Sequence, residues 1–421
     1  MIVWSRFTRP LAALVVAAAL TVPASPAASA RTTGPGGDPV TNDAGVTFGI
    51  LSHRGGRLEW PENSVEAYTH SVAAGFDAIE TDIVFTSDGR GVMSHYDTLT
   101  DRCTQAGRAI HQMTLAQVAE VRCKDLSGQF TVPIPTFEQL AEALAADDEV
   151  GLTLDIKTYT GQSAAGRRSW AKKAIGLVKE HGLLSRTSVI SFKWDTVLPT
   201  ILAAAPKMYV LALDYGTMDL DRVRLAAKLG AGGYGIKMKY TSAYLATYVK
   251  AKGMDSVPWE VVGTEARAFT IHYGGPLQLF STDTPTTSRR ELVEGVIDLN
   301  PVPNPTTTTL DAPVTISDTT YRADRKQYKV VGTKAVPDAA LAMLRDVTVT
   351  VTVTGGTGTG SLYIGASSSP TSSSTRVALP ASGRTVTVRA PLGDGRKLRL
   401  WTTRTVKLTV KVVAYTRVRF A

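Results

Sequence analysis

Between Thr47 and about Leu299 the chain alternates eight times between a short β-rich run and a helical pattern. The runs are TFGILSH, DAIETDIVF, GLTLDIK, TSVISF, KMYVLAL, GYGIKMK, SVPWEVV and LQLFST. Helical patterns such as SVEAYTHSVAAG, TFEQLAEALAAD and AGRRSWAKKAIGLVKEHG separate most of them, and TSRRELVEGVI follows the last. Several end in Gly, which takes the left-handed conformation that stops a helix. Eight strands alternating with helices over about 250 residues predict a parallel α/β fold, the TIM (β/α)8 barrel. A doubly wound open sheet fits less well, because its Gly-rich dinucleotide loop is absent.

The rest of the chain has a different texture. Residues 1–30 read as a secretory signal peptide: Arg6 and Arg9, an apolar run LAALVVAAALTV too short to span a bilayer, and a small-residue cleavage site ending at Ala30. Residues 31–44 read as a flexible segment, 45–300 as the barrel, and the Pro- and Thr-rich 301–313 as an extended linker. From 314 to 421 alternating runs such as VTVTVTV, RTVTVRAPL and VKLTVKVVAYTRVRF predict a small all-β, sandwich-like domain. The mature chain is therefore expected to be secreted and to have no transmembrane segment. Cys103 and Cys123, its two cysteines, are expected to pair as a disulfide in an oxidising compartment.

Charge divides along the same boundary. Residues 314–421 hold 17 Lys and Arg against 5 Asp and Glu, a net +12, while the remainder, with 29 basic and 32 acidic residues, is −3. Such asymmetry bears on partners, not on fold.

A TIM barrel carries its site at the C-terminal ends of the strands. There the first run ends in His53-Arg54-Gly55-Gly56, the second holds Glu80 and Asp82, GRGVMSHYD brings His95, and the third ends in Asp155-Ile156-Lys157. Residues two apart on a strand share a face, so Glu80 and Asp82 point together, as do Asp155 and Lys157. Buried carboxylates repel unless a cation resolves the cost, and oxygen ligands suit Ca2+ or Mg2+. The lack of a Cys/His ligand cluster argues against structural zinc. Two histidines suit acid/base work at neutral pH, and Arg54 and Lys157 suit an anionic substrate. The residues alone thus describe a metal-assisted phosphodiester hydrolase. A glycosidase would need two carboxylates spanning the substrate and no such cation density.

The stretch SHRGGRLEWPENSVEAYTHSVAAGFDAIETDIVFTSDGRGVMSHYDTL resembles the glycerophosphodiester phosphodiesterase family, as do LTLDIK, Ser191-Phe192, Trp259 and TDTP at Thr282–Pro285. The resemblance spans about 45–295, essentially the whole barrel. It implies that His53 and His95 are the general acid/base pair, that Arg54 and Lys157 contact the phosphate, and that Trp259 packs against the glycerol. It places Glu62 and Asn63 at the edge of the site. Glu80, Asp82 and Asp155 would hold one divalent cation, Ca2+ or Mg2+. The segment from Asp97 to Ile134 matches the family's insertion, which shapes the substrate mouth. The chain departs from the family in Tyr96, where Asp usually follows the second His, and in Asp155, where Glu is usual.

The implied reaction is metal-dependent hydrolysis of glycerophosphodiesters to glycerol phosphate and an alcohol. The alternatives are phospholipase D-like action on lysolipids or sphingolipids, releasing a cyclic phosphate, and hydrolysis of polyglycerol-phosphate wall polymer. The lipid alternative needs an apolar mouth, and no exposed aromatic loop stands out in the sequence. The basic domain is expected to be an accessory that binds anionic cell wall. Nucleic acid is not expected, since no aromatics interleave its basic residues. Arg57, Glu59 and Trp60 are left to substrate choice.

Overall fold

The computed structural model describes residues 40–42, 47–215, 220–261, 263–274, 278–323, 327–331, 336, 344–356, 360–365, 374–379, 383–392 and 397–420. The signal peptide and most of 31–44 lie outside the described residues.

The eight runs form eight strands: β1 Thr47–Ser52, β2 Ala78–Phe85, β3 Gly151–Ile156, β4 Thr187–Ser191, β5 Tyr209–Asp214, β6 Gly233–Ile236, β7 Asp255–Ser256 and β8 Gln278–Thr282. They pair in parallel in chain order from β1 to β7, and β8 pairs in parallel with β1, which brings the last strand back to the first. Helices follow them: α1 Val65–Ala73, α2 Phe137–Leu144, α3 Ala164–Glu180, α4 Trp194–Ala204, α5 Leu220–Lys228, α6 Ala243–Lys250, α7 Thr264–Tyr273 and α8 Pro285–Val293. Every residue of β2 and β3 is buried. A parallel strand covered on both faces has that character, which is why these runs are apolar except where the site interrupts them. The main core joins strand residues such as Ile79, Ile83 and Leu154 to helix residues such as Leu140, Ala174 and Leu198.

Beyond the barrel lies an antiparallel sandwich. Its strands are β9 Pro303–Tyr321, β10 Gln327–Val330, β11 Leu344–Gly355, β12 Ser361–Gly365, β13 Thr375–Ala378, β14 Thr385–Pro391, β15 Lys397–Thr402 and β16 Val406–Phe420. One sheet runs β9-β16-β11-β14 and the other β10-β15-β12-β13. Alternate residues, Val347, Val349, Val351 and Val353 on β11 with Leu408, Val410 and Val412 on β16, fill the space between them. Arg417 on β16 reaches Glu265 of α7 at 3.3 Å.

The expected linker is corrected here. Residues 303–313 form the first half of β9, paired with β16 from Pro303↔Phe420 to Tyr321↔Val406 with two register shifts. The segment has no apolar alternation because it is exposed or half-buried along its length and has no face to bury. Its prolines are tolerated because β9 is an edge strand, where an N–H facing solvent is not needed. The sandwich therefore begins at about residue 303.

Candidate active site

The loop after β1 folds back sharply. Arg54, Gly55 and Gly56 all have positive φ, at 50°, 77° and 89°. A Cβ on Gly55 would stand 2.7 Å from that of Ala67, so only glycine lets the loop lie against α1. Arg54 accepts an uncommon conformation because it is held at three points. Its N–H donates to Glu80 Oε2 at 2.9 Å, its guanidinium donates to Glu62 Oε2 at 2.8 Å, and its Nε lies 3.4 Å from Asp82 Oδ2. Ser64 caps α1 by accepting the Ala67 N–H at 3.1 Å. Asn63 turns inward with φ 51° and donates to Asp82 Oδ2 at 2.9 Å, while its carbonyl accepts from Thr81 Oγ1 at 2.8 Å.

The strand register assembles the carboxylates. Asp82 and Asp155 are direct partners across the β2–β3 ladder, and Glu80 lies two residues before Asp82. One oxygen from each of the three lies within 4.8 Å of the others, and all three residues are buried. Lys157 Nζ stands 2.5 Å from Asp155 Oδ2 and 2.8 Å from Asp82 Oδ1. Burial pushes Glu80 up to about 7, reinforced by Asp82. Burial also raises Asp155. At Asp82 burial acts upward too, but Lys157 and Arg54 overcome it and hold the group well below the usual carboxylate range. Asp155 Oδ1 is buried without a hydrogen bond. Three hard oxygen donors, one of them orphaned, fit a divalent cation.

The two histidines differ. His53 Nδ1 lies 2.5 Å from Asp283 Oδ1, and its Nε2 faces Glu80 Oε2 at 3.8 Å. Burial acts upward on Asp283, but His53 and Arg57 hold it well below the usual carboxylate range. The carboxylate therefore accepts Nδ1–H, which fixes the tautomer and presents Nε2 to the site. His95 is placed by the Ser94 N–H, which donates to the Asp82 carbonyl at 3.0 Å. Its Nδ1 is buried and unpartnered. Burial lowers it to about 3 against the attraction of Asp82, so it is a free base at neutral pH.

Glu62 bridges Arg54 and Arg102, the latter at 2.5 Å, and lines a groove with Asn63 and His95. Arg102 belongs to the insertion, and the Cys103–Cys123 disulfide ties that segment to the 122–124 strand. Trp259, just after β7, donates Nε1–H to the Asp214 carbonyl at 3.2 Å. It stands edge-on to Phe192 and Tyr215, which stack on each other at 4.1 Å. Lys157 Nζ lies 5.9 Å from the Phe192 ring centre, so this aromatic wall adjoins the charged centre.

The residues left to substrate choice have another task. Arg57 grips Asp283, with Nε 2.8 Å from Oδ1 and a terminal nitrogen 2.9 Å from Oδ2. Glu59 accepts the Thr286 and Thr287 N–H groups at the start of α8, at 3.1 and 3.3 Å. Trp60 stacks on His70 at 5.2 Å. Arg57 and Glu59 fasten the loop after β1 to the segment after β8, and Trp60 packs that loop on α1. Asp283 lies in the TDTP stretch that carries the resemblance, but the sequence assigned it no role. An Arg57→Ala variant is expected to lower kcat about tenfold with little change in KM, since it loosens Asp283, the partner of His53, which the resemblance makes an acid/base group. Steady-state kinetics on a soluble diester check this, and an unchanged kcat would refute the positioning role.

A barrel whose strand ends combine buried carboxylates, two histidines and two fixed cations defines a phosphoester-cleaving enzyme class. The comparisons agree. The sequence model of the glycerophosphoryl diester phosphodiesterase family matches residues 53–274. The glycerophosphodiester phosphodiesterase of Caldanaerobacter subterraneus subsp. tengcongensis is 28% identical over 220 residues, 50% of this chain and 85% of that protein. A Silicibacter pomeroyi structure assigned to the same activity has 22% identity and a TM-score of 0.54, covering 64% of this chain and 99% of its own. An Oleispira antarctica phosphodiesterase in complex with its product sn-glycerol-3-phosphate has 19% identity and a TM-score of 0.50, covering 58% and 96%. At such identities the structures speak for the fold. The chain belongs to the glycerophosphoryl diester phosphodiesterase family and is a phosphoric diester hydrolase.

Proposed function

We propose that this chain hydrolyses glycerophosphodiesters to glycerol phosphate and an alcohol. The observation that carries the reading is the carboxylate triad set among His53, His95, Arg54 and Lys157. Glu80, Asp82 and Asp155 would hold the divalent cation, Ca2+ or Mg2+, which when bound polarises the phosphoryl oxygens. Arg54 and Lys157 add positive charge beside the phosphate as negative charge builds on it. His95, a free base, takes the proton of the attacking hydroxyl, either water or the neighbouring hydroxyl of glycerol. His53, oriented by Asp283, delivers a proton to the departing alcohol oxygen as the P–O bond breaks. If the glycerol hydroxyl attacks, a cyclic phosphate forms and water opens it with the proton roles reversed. Trp259 and Phe192 offer an apolar face for the glycerol carbons.

The test is turnover of glycerophosphocholine by the chain, followed by release of glycerol phosphate, with and without a chelator. Activity lost on chelation and regained with Ca2+ or Mg2+ is expected. No turnover with either ion would overturn the reading. Residues 1–30 support export, and the +12 balance of 314–421 supports binding of anionic cell wall, where a polymeric glycerol-phosphate substrate would be presented.

A further inference from the structure

Arg54, the residue that grips phosphate in the proposed reaction, shares its carboxylate partner with a second arginine. Glu62 Oε2 accepts from a terminal nitrogen of Arg54 at 2.8 Å, and Glu62 Oε1 accepts from Arg102 at 2.5 Å. Burial acts upward on Glu62, but the hydrogen bonds from Arg102 and Arg54 hold it below the usual carboxylate value, so it is an ionised bridge between two guanidinium groups. An arginine alone with a carboxylate closes as a fork, with two parallel N–H···O bonds. Here the second oxygen is already taken. Arg54 is bound at one terminal nitrogen, and its other terminal nitrogen has no hydrogen-bond partner among the described residues.

Arg102 is itself fixed from several sides. Its carbonyl accepts the Lys124 N–H at 2.9 Å, and a terminal nitrogen donates to the Lys124 carbonyl at 3.3 Å. The next residue, Cys103, is bonded to Cys123, and the Thr104 N–H donates to the Arg122 carbonyl at 2.8 Å. The Arg102 side chain is 30% exposed, and an arginine that open loses rotamer freedom when it holds one geometry. A cross-link one residue away lowers that cost by fixing the backbone from which the side chain reaches. The hydrogen bonds of Arg102 go to Glu62 and Lys124, not to the carboxylate triad.

We infer that Arg102 is a positioning residue for the phosphate grip: by occupying one oxygen of Glu62 it keeps Arg54 oriented and leaves the second terminal nitrogen of Arg54 for a phosphoryl oxygen, and the Cys103–Cys123 disulfide holds Arg102 in place to do so. This rests on the phosphodiesterase reading of the same site. Arg102 touches no reacting atom. Without it Glu62 closes on Arg54 with both oxygens, and a phosphate must compete with Glu62 for that guanidinium. The cost falls on phosphate binding in substrate and product alike, and so on KM more than on kcat.

Two measurements on an Arg102→Met variant of the full chain test it: steady-state kinetics on glycerophosphocholine, and calorimetric titration with glycerol phosphate in Mg2+ buffer. KM and the Kd of glycerol phosphate are each expected to rise about tenfold, while kcat changes by less than about threefold. Arg102→Lys keeps the charge and a donor to Glu62, and should recover most of the loss. A merely structural arginine would lower Tm and the active fraction and leave KM and Kd where they were. That result overturns the positioning role, as does a Lys variant as impaired as the Met one, and with turnover by the parent it leaves the enzyme reading standing. If Arg102→Met weakens glycerol phosphate binding but the parent turns over no diester, the enzyme reading falls and the hold on Arg54 stands. The disulfide's part is tested on Cys103→Ser/Cys123→Ser, which should raise KM and Kd in the same direction. Added to Arg102→Met it should cost nothing more, since both act through one bridge. Losses that multiply would overturn that part.

Discussion

A His95→Gln variant is expected to fold as the parent does and to lose about 10²–10⁴-fold in kcat. The two halves of that expectation have separate causes. His95 Nδ1 is buried without a partner, so it contributes nothing to the fold through that atom. Removing the imidazole should therefore change stability by about 1 kcal/mol or less. Its value lies in being a base. Burial holds it to about 3, so it stays unprotonated throughout the neutral range, and the negative charge of a bound phosphodiester is what would raise its basicity toward that of a working general base. Thermal melting and steady-state kinetics on glycerophosphocholine, run on one preparation, separate the two. A variant with full activity would remove His95 from the chemistry.

Lys157→Met should have the largest effect on stability, and divalent cation should reverse much of it. Lys157 is 14% exposed and lies between Asp82 and Asp155. Without it Asp82 keeps only Arg54 and Asn63 as close partners, and Asp155 loses its ion pair. Breaking a buried ion pair by removing one side costs about 3–5 kcal/mol, because the other charge stays buried. For a barrel of this size that corresponds to a fall of roughly 10 °C in Tm. Added Ca2+ or Mg2+ should recover part of the loss, since positive charge returns to the same carboxylates. The measurement is Tm with chelator and with excess cation, for parent and variant. If the variant melts with the parent in chelator, the carboxylates absorb the change by taking up protons, as the raised Glu80 and Asp155 allow.

Much of this was readable from the chain because it depends on short-range rules. Strand and helix periods alternate over tens of residues, so the barrel and its eight strands follow from local pattern. Side chains two apart on a strand share a face, so Glu80 with Asp82 and Asp155 with Lys157 could be paired before any coordinates. The rule that barrel chemistry sits at strand ends turned those pairs into a site.

What escaped depends on contacts between distant segments. The 303–313 segment reads as a linker because its partner strand lies about a hundred residues away, and an edge strand carries prolines that a central one would not. Asp283 and Arg57 are 226 residues apart in the chain, and neither reveals the other as its partner in sequence. Only closure of β8 on β1 makes them the clamp on His53. By itself, then, the sequence determined the barrel and the chemical groups of the centre, because periodicity and strand-end position are local properties. The tertiary structure alone decided which groups hold the histidines, because that depends on which distant loops the closed barrel brings side by side.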